Sequence, residues 1–229
     1  MNKKVIVFGN NLIAEVLYHD SKQRGIDFDI EAFCVDESYL QQNVFCGKPL
    51  IGFQEAIKKY PPKDYDMIST VEATSRLRNR LVVFTRLKEA GYFLRNYISP
   101  LAEISGDIEL GENNLILSFV FIDPQGKMGN ANLIRPHAFL GYDFHIGDGN
   151  TIAPACAVAG HGHIGNSCFL GINATVLPHI HIADETLIGA GSVVTNDTNP
   201  YTVYAGNPAR AISTHEKDGI MLKVTVRDE

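Results

Sequence analysis

Several large protein classes are excluded by what this sequence does not contain. No apolar run approaches the ~20 residues that a membrane-spanning helix needs. The opening Met-Asn-Lys-Lys leads into a short apolar stretch, Val5 to Phe8, which is too brief for a secretory leader. A cytoplasmic protein without a membrane partner is therefore expected. Lys and Arg do not cluster, and the formal net charge is -6. That argues against a nucleic-acid partner, because affinity for a phosphate backbone rests on grouped cations. Cysteine is scarce: Cys34, Cys46, Cys156 and Cys168 form neither a CxxC pair nor a dense secreted framework, so they read as reduced structural thiols. The GxGxxG fingerprint is missing as well, since Gly9 is followed by Asn10 and Asn11, and a dinucleotide cofactor is not expected.

What is present divides near residue 100. Over residues 1–99 short apolar runs alternate with longer amphipathic ones, giving strands at 5–8, 30–36, 66–71 and 94–99 and helices at 12–24, 52–59 and 75–90. Such alternation implies an α/β domain, a small Rossmann-like parallel sheet with right-handed crossovers. Ligands of these sheets bind beyond the carboxyl ends of the strands, here around Gly9, Asn10 and Asp36. A helix N-terminus offers N–H groups to phosphate, and Asp36 can accept from a base or ribose. The plainer alternative makes both asparagines turn formers and Asp36 a strand cap.

From Ile104 to Val194 an aliphatic residue or methionine stands at every sixth position, sixteen times without interruption. Neither the helical period of 3.6 nor the strand period of 2 produces this spacing, but a parallel β-helix does. Each hexad is then one short strand and one corner, with its aliphatic side chain inward. The residue four places later, such as Asn150, Cys156 or Cys168, takes a second and tighter inward position. Glycine directly after the aliphatic residue, as at Gly141 and Gly147, relieves crowding of the backbone. Three hexads close a triangular coil, so residues 18 apart stack at roughly ~4.8 Å, the spacing of neighbouring strands. Coils of this kind fill residues 100–212 with an all-β solenoid, and a polar tail, 213–229, follows with an apolar stretch IMLKVTV.

With these repeats the sequence resembles the hexapeptide-repeat acyltransferases, which are left-handed β-helices and usually homotrimers. The phrases SPLAEIS at 99–105 and AGNPARAI at 205–212 resemble more closely one branch, the PglD/NeuD-type bacterial sugar acetyltransferases, in which a nucleotide-sugar-binding domain precedes the coils. The resemblance implies transfer of an acetyl group from acetyl-CoA to the amine of a nucleotide-diphosphate-linked amino deoxysugar, in glycan or polysaccharide synthesis. It implies a nucleotide held by Gly9, Asn10, Asp36 and Arg78. It also implies acetyl-CoA lying along the coils between two subunits, against backbone groups of Gly160, Ile172 and Ala190, with its adenine end toward Asn207 and Pro208. One departure stands out: where the family carries a histidine base, this chain reads Gly141-Tyr142-Asp143-Phe144-His145-Ile146-Gly147.

Tyrosine, with an ordinary pKa of ~10, is a poor proton acceptor at neutral pH. An ammonium group cannot attack a thioester, so the proton must go elsewhere. Asp143, His161 and His179 are 18 apart and share one corner position. His161, one coil above Asp143 and beside Gly160, is the expected base, oriented by Asp143, with Tyr142 hydrogen-bonding near the acceptor. The alternative is a solvated polar ladder without a task. His137 is read as facing the acceptor sugar or as a plain exposed corner residue. His145, His163 and His181 form a second column on an outward strand position, which raises a zinc-dependent hydratase resembling the gamma-class carbonic anhydrases. No histidine lies just after His181 to complete that ligand pattern, so no metal is expected. Tyr142 also leaves open a non-catalytic nucleotide-sugar-binding homologue, and a sugar O-acyltransferase is compatible with the same repeats.

Overall fold

The computed structural model describes residues 4–73 and 76–215. The first domain is built on β1 (Lys4–Phe8), β2 (Ile30–Val35), β3 (Val44–Phe45), β4 (Lys48–Gly52) and β5 (Tyr65–Ser69), in the order β3-β4-β2-β1-β5. β1 runs parallel to β2 and β5, and β2 parallel to β4. Helices α1 (Leu12–Gln23), α2 (Phe53–Lys59) and α3 (Asn79–Glu89) cover the sheet. Alternate residues of β1 serve opposite faces, as the strand period requires. Val5 and Val7 pack with Ile13 and Leu17 of α1, while Ile6 and Phe8 pack with Phe53 of α2 and Leu87 of α3. Burial on both faces is why this strand reads as an unbroken apolar run.

Three local features differ from the sequence reading. The β3–β4 hairpin was not anticipated; its two-residue loop, Cys46 and Gly47, has φ of 49° and 70°, the left-handed pair that a tight hairpin needs. α3 starts at Asn79 rather than 75, and residue 75 lies outside the described residues. The strand expected at 94–99 does not form as one piece. Leu94 makes a single bridge to Met67 of β5, after which β6 (Tyr97–Ile98) leaves the sheet and pairs with Leu115–Ile116. Asn96 explains the departure: its Oδ1 accepts from the Asn114 N–H at 2.7 Å and its Nδ2 donates to the Gly111 carbonyl at 2.7 Å. These bonds commit the chain to the solenoid before the hexad count begins. The signal was present, since Ile98 lies six residues before Ile104.

The solenoid contains sixteen two-residue strands, β7 (Glu103–Ile104) to β22 (Val193–Val194), each ending on one of the periodic aliphatic positions. Successive coils pair in parallel with a register of 18, for example Phe121 with Phe139 and His145 with His163. Three stacked faces result, the first carrying Leu115–Ile116, the second Phe121–Ile122 and the third Lys127–Met128, and the whole is a left-handed β-helix. From Ile116 to Val194 every periodic residue is buried. From Leu110 to Ile188 the third corner residue after each inward aliphatic has positive φ, from Asn113 (58°) through His161 (59°) to Glu185 (51°), with Gly149 and Gly191 in the same role. This left-handed conformation turns the chain sharply enough to close a triangle. Gly141 is required where expected, because a Cβ there would sit 2.6 Å from the Gly160 nitrogen.

The second inward position carries a buried asparagine ladder. Asn132 Nδ2 donates to Asn114 Oδ1 (3.0 Å) and to the Gly147 carbonyl (2.9 Å), while its own Oδ1 accepts from the Asn150 N–H (2.9 Å). Cys168 continues the column, its thiol donating to the Ala183 carbonyl at 3.1 Å. Burial pushes this thiol up to about 12 and that of Cys156 up to about 11. All four cysteines are free. After the last coil, β23 (Thr202–Gly206) adds to the first face beside Leu187–Ile188 and β24 (Ala209–Thr214) folds back antiparallel. The tail from 216 onward, including IMLKVTV, lies outside the described residues.

The first domain sits on the first face of the solenoid. Outward residues Leu115 and Leu133 of that face pack with Val5, Val7 and Leu17, and Phe169 and Leu187 pack with Ala73 and Leu77. Arg80, 2% exposed, fastens the two, donating from Nε to the Ala131 carbonyl at 2.8 Å and from Nη1 to the Val71 carbonyl. Asn113 pairs with the backbone of Ser69 from the other side.

Candidate active site

The first domain opens a cleft of about 570 Å³ at the carboxyl ends of its strands. β1 lies between β2 and β5, so successive crossovers leave in opposite directions there and the turns after β1 and β5 part, as at any switch point. Gly9 has φ +130°, and a Cβ on it would lie 2.2 Å from Thr70 Oγ1; only glycine lets the two turns approach this closely. Asn11 is structural: its Oδ1 caps α1 at the Ala14 N–H (3.1 Å) and its Nδ2 donates to the Thr70 carbonyl (2.8 Å). Asn10 lines the cleft with Gly9 and Asp36.

Asp36 makes no side-chain cap. Its Oδ1 instead pairs with Arg86 Nη1 at 2.8 Å, and the guanidinium lies 5.0 Å and 5.1 Å from the ring centres of Phe8 and Phe53. Tyr39, 67% exposed, and Glu72 also line the cleft, and Glu72 pairs at 2.8 Å with Arg135 from the solenoid. Sequence reading missed Arg86, Tyr39 and Glu72. A signal for Arg86 existed, because Asn79 and Arg86 are seven apart and so share one face of α3. Arg78, expected here, is not brought to the cleft. Its Nε donates to Glu185 Oε2 at 2.7 Å, and it lines an adjoining groove between α3 and the solenoid that shares Val82 and Arg86 with the cleft.

On the solenoid, the corner between the second and third faces carries Tyr142, Asp143, Gly160, His161 and His179. Asp143, His161 and His179 all occupy the left-handed corner position, with φ of 52°, 59° and 62°, so their side chains leave the backbone in parallel, one coil apart. His161 Nδ1 lies 2.7 Å from Asp143 Oδ2. That hydrogen bond first, and then the charges of His161, His145 and His163, hold the Asp143 carboxyl below its ordinary range. With Nδ1 engaged, Nε2 is the nitrogen left to exchange a proton. Tyr142 approaches the His161 ring edge-on, centroids 4.8 Å apart, and its ring lies so close to Gly160 that a Cβ there would meet Tyr142 Cε1 at 2.7 Å. The four residues expected to act together, Tyr142, Asp143, Gly160 and His161, are thus adjacent.

The second corner residue of a hexad keeps its N–H out of the interstrand ladder, which is why proline stands there at 124, 136, 154 and 178. At Gly160, Ile172 and Ala190, the three backbone positions expected to meet acetyl-CoA, that N–H has no protein partner among the described residues. Ile172 is 57% exposed, and Asn207 and Pro208 form the exposed tip between β23 and β24. His137 stacks on Phe119 (5.2 Å, 10°) at the corner between the first and second faces, apart from His161.

The other histidine column lies on the third face. His145 and His163 stack at 4.7 Å and 3°, so their ring nitrogens run parallel instead of converging. Among the described residues of one chain no three His, Cys, Asp or Glu side chains form a metal-binding group. Burial, and then the charges of His145 and His181, hold His163 below the ordinary imidazole range.

Residues 161–196 match the family described as bacterial transferase hexapeptide (six repeats). That segment carries the six-residue repeat for which the family is named. No curated protein matches it by sequence. Among solved structures it is similar to a histidine-to-asparagine variant of perosamine N-acetyltransferase from Caulobacter crescentus, in complex with CoA and GDP-perosamine. There the identity is 25%, the TM-score 0.82, and the match covers 92% of this chain and 97% of that one. The acetyltransferase domain of PglB from Neisseria gonorrhoeae, in complex with acetyl coenzyme A, is 20% identical with a TM-score of 0.81 over 93% of this chain and all 100% of that one. WeeI from Acinetobacter baumannii is 21% identical with a TM-score of 0.80 over 91% and 99%. The last two show the shared fold. No helix among the described residues is long and apolar enough to cross a membrane.

Proposed function

We propose that this hexapeptide-repeat protein is an acetyl-CoA-dependent N-acetyltransferase that acts in the cytoplasm on the amino group of a nucleotide-diphosphate-linked amino deoxysugar, serving glycan or polysaccharide synthesis. The observation that carries the reading is the Asp143–His161 pair at 2.7 Å beside Gly160. It supplies a base at the corner where Tyr142 cannot. Similarity over nearly the whole chain to an enzyme bound to CoA and GDP-perosamine supports the substrate class.

The nucleotide occupies the cleft at Gly9, Asn10 and Asp36, and acetyl-CoA runs along the coils past Ile172 and Ala190 toward the hairpin tip at Asn207 and Pro208. The sugar amine attacks the thioester carbonyl carbon. Its proton passes to His161 Nε2, Asp143 steadies the imidazolium, and the Gly160 N–H donates to the oxyanion. Collapse breaks the carbon–sulfur bond, and the leaving thiolate takes up the proton from His161. No acyl-enzyme is required, because two bound substrates held in line gain most of their acceleration from position. The Tyr142 hydroxyl hydrogen-bonds near the acceptor.

The cleft and the His161 corner lie on opposite sides of one solenoid, since the first domain covers the first face and His161 stands between the other two. A complete site then needs a second copy, and a homotrimer supplies it. The second face is suited to such packing, with Phe121 and Phe139 stacked and more than a third exposed.

The test is thiol release from acetyl-CoA with GDP-, UDP- and dTDP-linked amino sugars. Release with one of them is expected. Tight binding of a nucleotide sugar by calorimetry with no thiol release from any acceptor would instead support the non-catalytic homologue.

A further inference from the structure

Asp143 holds His161 at Nδ1 and Tyr142 meets its edge, but the flat face of the ring is met by a third group that acyl transfer leaves without a task. His179 stacks on His161 at 4.5 Å and 14°. The peptide that carries His161 is held from both neighbouring coils: its N–H donates to the Tyr142 carbonyl at 2.9 Å, and the Gly160 carbonyl accepts from the His179 N–H at 3.3 Å. One residue therefore touches both the ring and the backbone from which it hangs. Resting on the reading of His161 as base, we propose that His179 is a positioning residue, which fixes the plane of the His161 imidazole and keeps Nε2 directed to the acceptor amine.

The stack also has an electrical consequence. When His161 takes the amine proton, the new imidazolium lies over the π face of His179, a favourable contact while His179 is neutral and an unfavourable one when it is protonated. The other titratable groups around the pair are Asp143 on the coil before, Tyr142 at the ring edge, and His145 and His163 from the third face. Asp143 is the carboxylate in direct contact with either ring among the described residues, and it is already committed to His161.

Thiol release is measured against pH for wild type, His179→Ala and His179→Phe, with acetyl-CoA and whichever amino sugar supports turnover. The alanine variant is expected to lose roughly tenfold in kcat, the scale of a misplaced catalytic group, with KM for acetyl-CoA unchanged. The phenylalanine variant, which keeps a flat ring over His161, is expected to recover most of kcat. In parallel, ¹⁵N imidazole NMR of the free protein reads the tautomer of His161. A single Nδ1-protonated form is expected in wild type and His179→Phe, and a mixture in His179→Ala. Undiminished kcat in His179→Ala, or a loss in His179→Phe as large as in His179→Ala, overturns the proposal. If wild type releases no thiol with any acceptor, the transferase reading fails by itself. An unchanged His161 tautomer in His179→Ala would then overturn the positioning role on its own.

Discussion

Two corners of the same solenoid carry polar residues stacked every 18 positions, yet they spend them differently. At the corner between the third and first faces, Asn130, Asp148, Asn166 and Asp184 each turn a side-chain oxygen onto the backbone of the preceding coil. Asp148 Oδ1 takes the Asn130 N–H at 2.5 Å, and Asp184 Oδ1 takes the Asn166 N–H at 2.7 Å. These N–H groups lie at the position that the strand ladder leaves unpaired, so the side chains complete the fold. At the corner of Asp143 and His161 the same backbone position is Tyr142, Gly160 or Pro178, and the polar side chains bond to one another. A stacked polar column is thus what any such repeat produces, and a column that serves chemistry is one whose side chains the backbone has not used.

The sharpest way to break this contrast is to truncate one member of each column. His161→Ala is expected to lower turnover by about 10² to 10⁴, the usual worth of a general base, while the melting temperature stays within a degree or two. Asp184→Ala is expected to do the reverse, leaving turnover intact and costing ~1 kcal/mol of stability through its lost bond to the Asn166 N–H. Turnover assays with thermal unfolding of both variants decide the matter. Equal turnover in His161→Ala and wild type would remove the base from that corner.

Most of the solenoid was legible because a period of six has one structural solution, and every strand falls where its aliphatic residue puts it. The Asp143–His161 contact was legible for the same reason: a register of 18 is enough to bring two side chains together. The first domain was read less well. Its β3–β4 hairpin hides in a stretch without alternation, and Arg78 was assigned by resemblance alone, although Glu185, 107 residues away, holds it elsewhere. Arg86 was missed because an ion pair with Asp36 depends on where α3 docks, which no local pattern encodes.

Inside the coils a smaller effect separates the buried ladder from both corners. Asn132→Ala removes the acceptor for the Asn150 N–H and the donor for the Gly147 carbonyl. A buried polar group without a partner costs ~1–3 kcal/mol, so the variant is expected to unfold at lower denaturant with its turnover preserved. Chemical denaturation with the transition slope held equal measures it. A midpoint equal to wild type would mean that water or a neighbouring side chain replaces the amide.

The smallest expected effect distinguishes the two histidine columns by pH. His163 on the third face is held below its ordinary value by burial and by the charges of His145 and His181, so the unfolded chain binds its proton more readily than the folded one. Stability is then fullest above the ordinary imidazole value of ~6.5 and declines as pH falls from there through the lowered value. Asp143 behaves differently. Its carboxyl is lowered by the His161 hydrogen bond, and the stability it contributes persists above the ordinary carboxylate value of ~3.9, to be lost only as pH falls through the lowered value. Thermal unfolding between pH 7.5 and 5 should therefore show a decline that His163→Gln reduces and Asp143→Asn does not. The decline is small because His163 is largely exposed and solvent screens its neighbours. An equal decline in wild type and His163→Gln would place the acid sensitivity outside the third-face column.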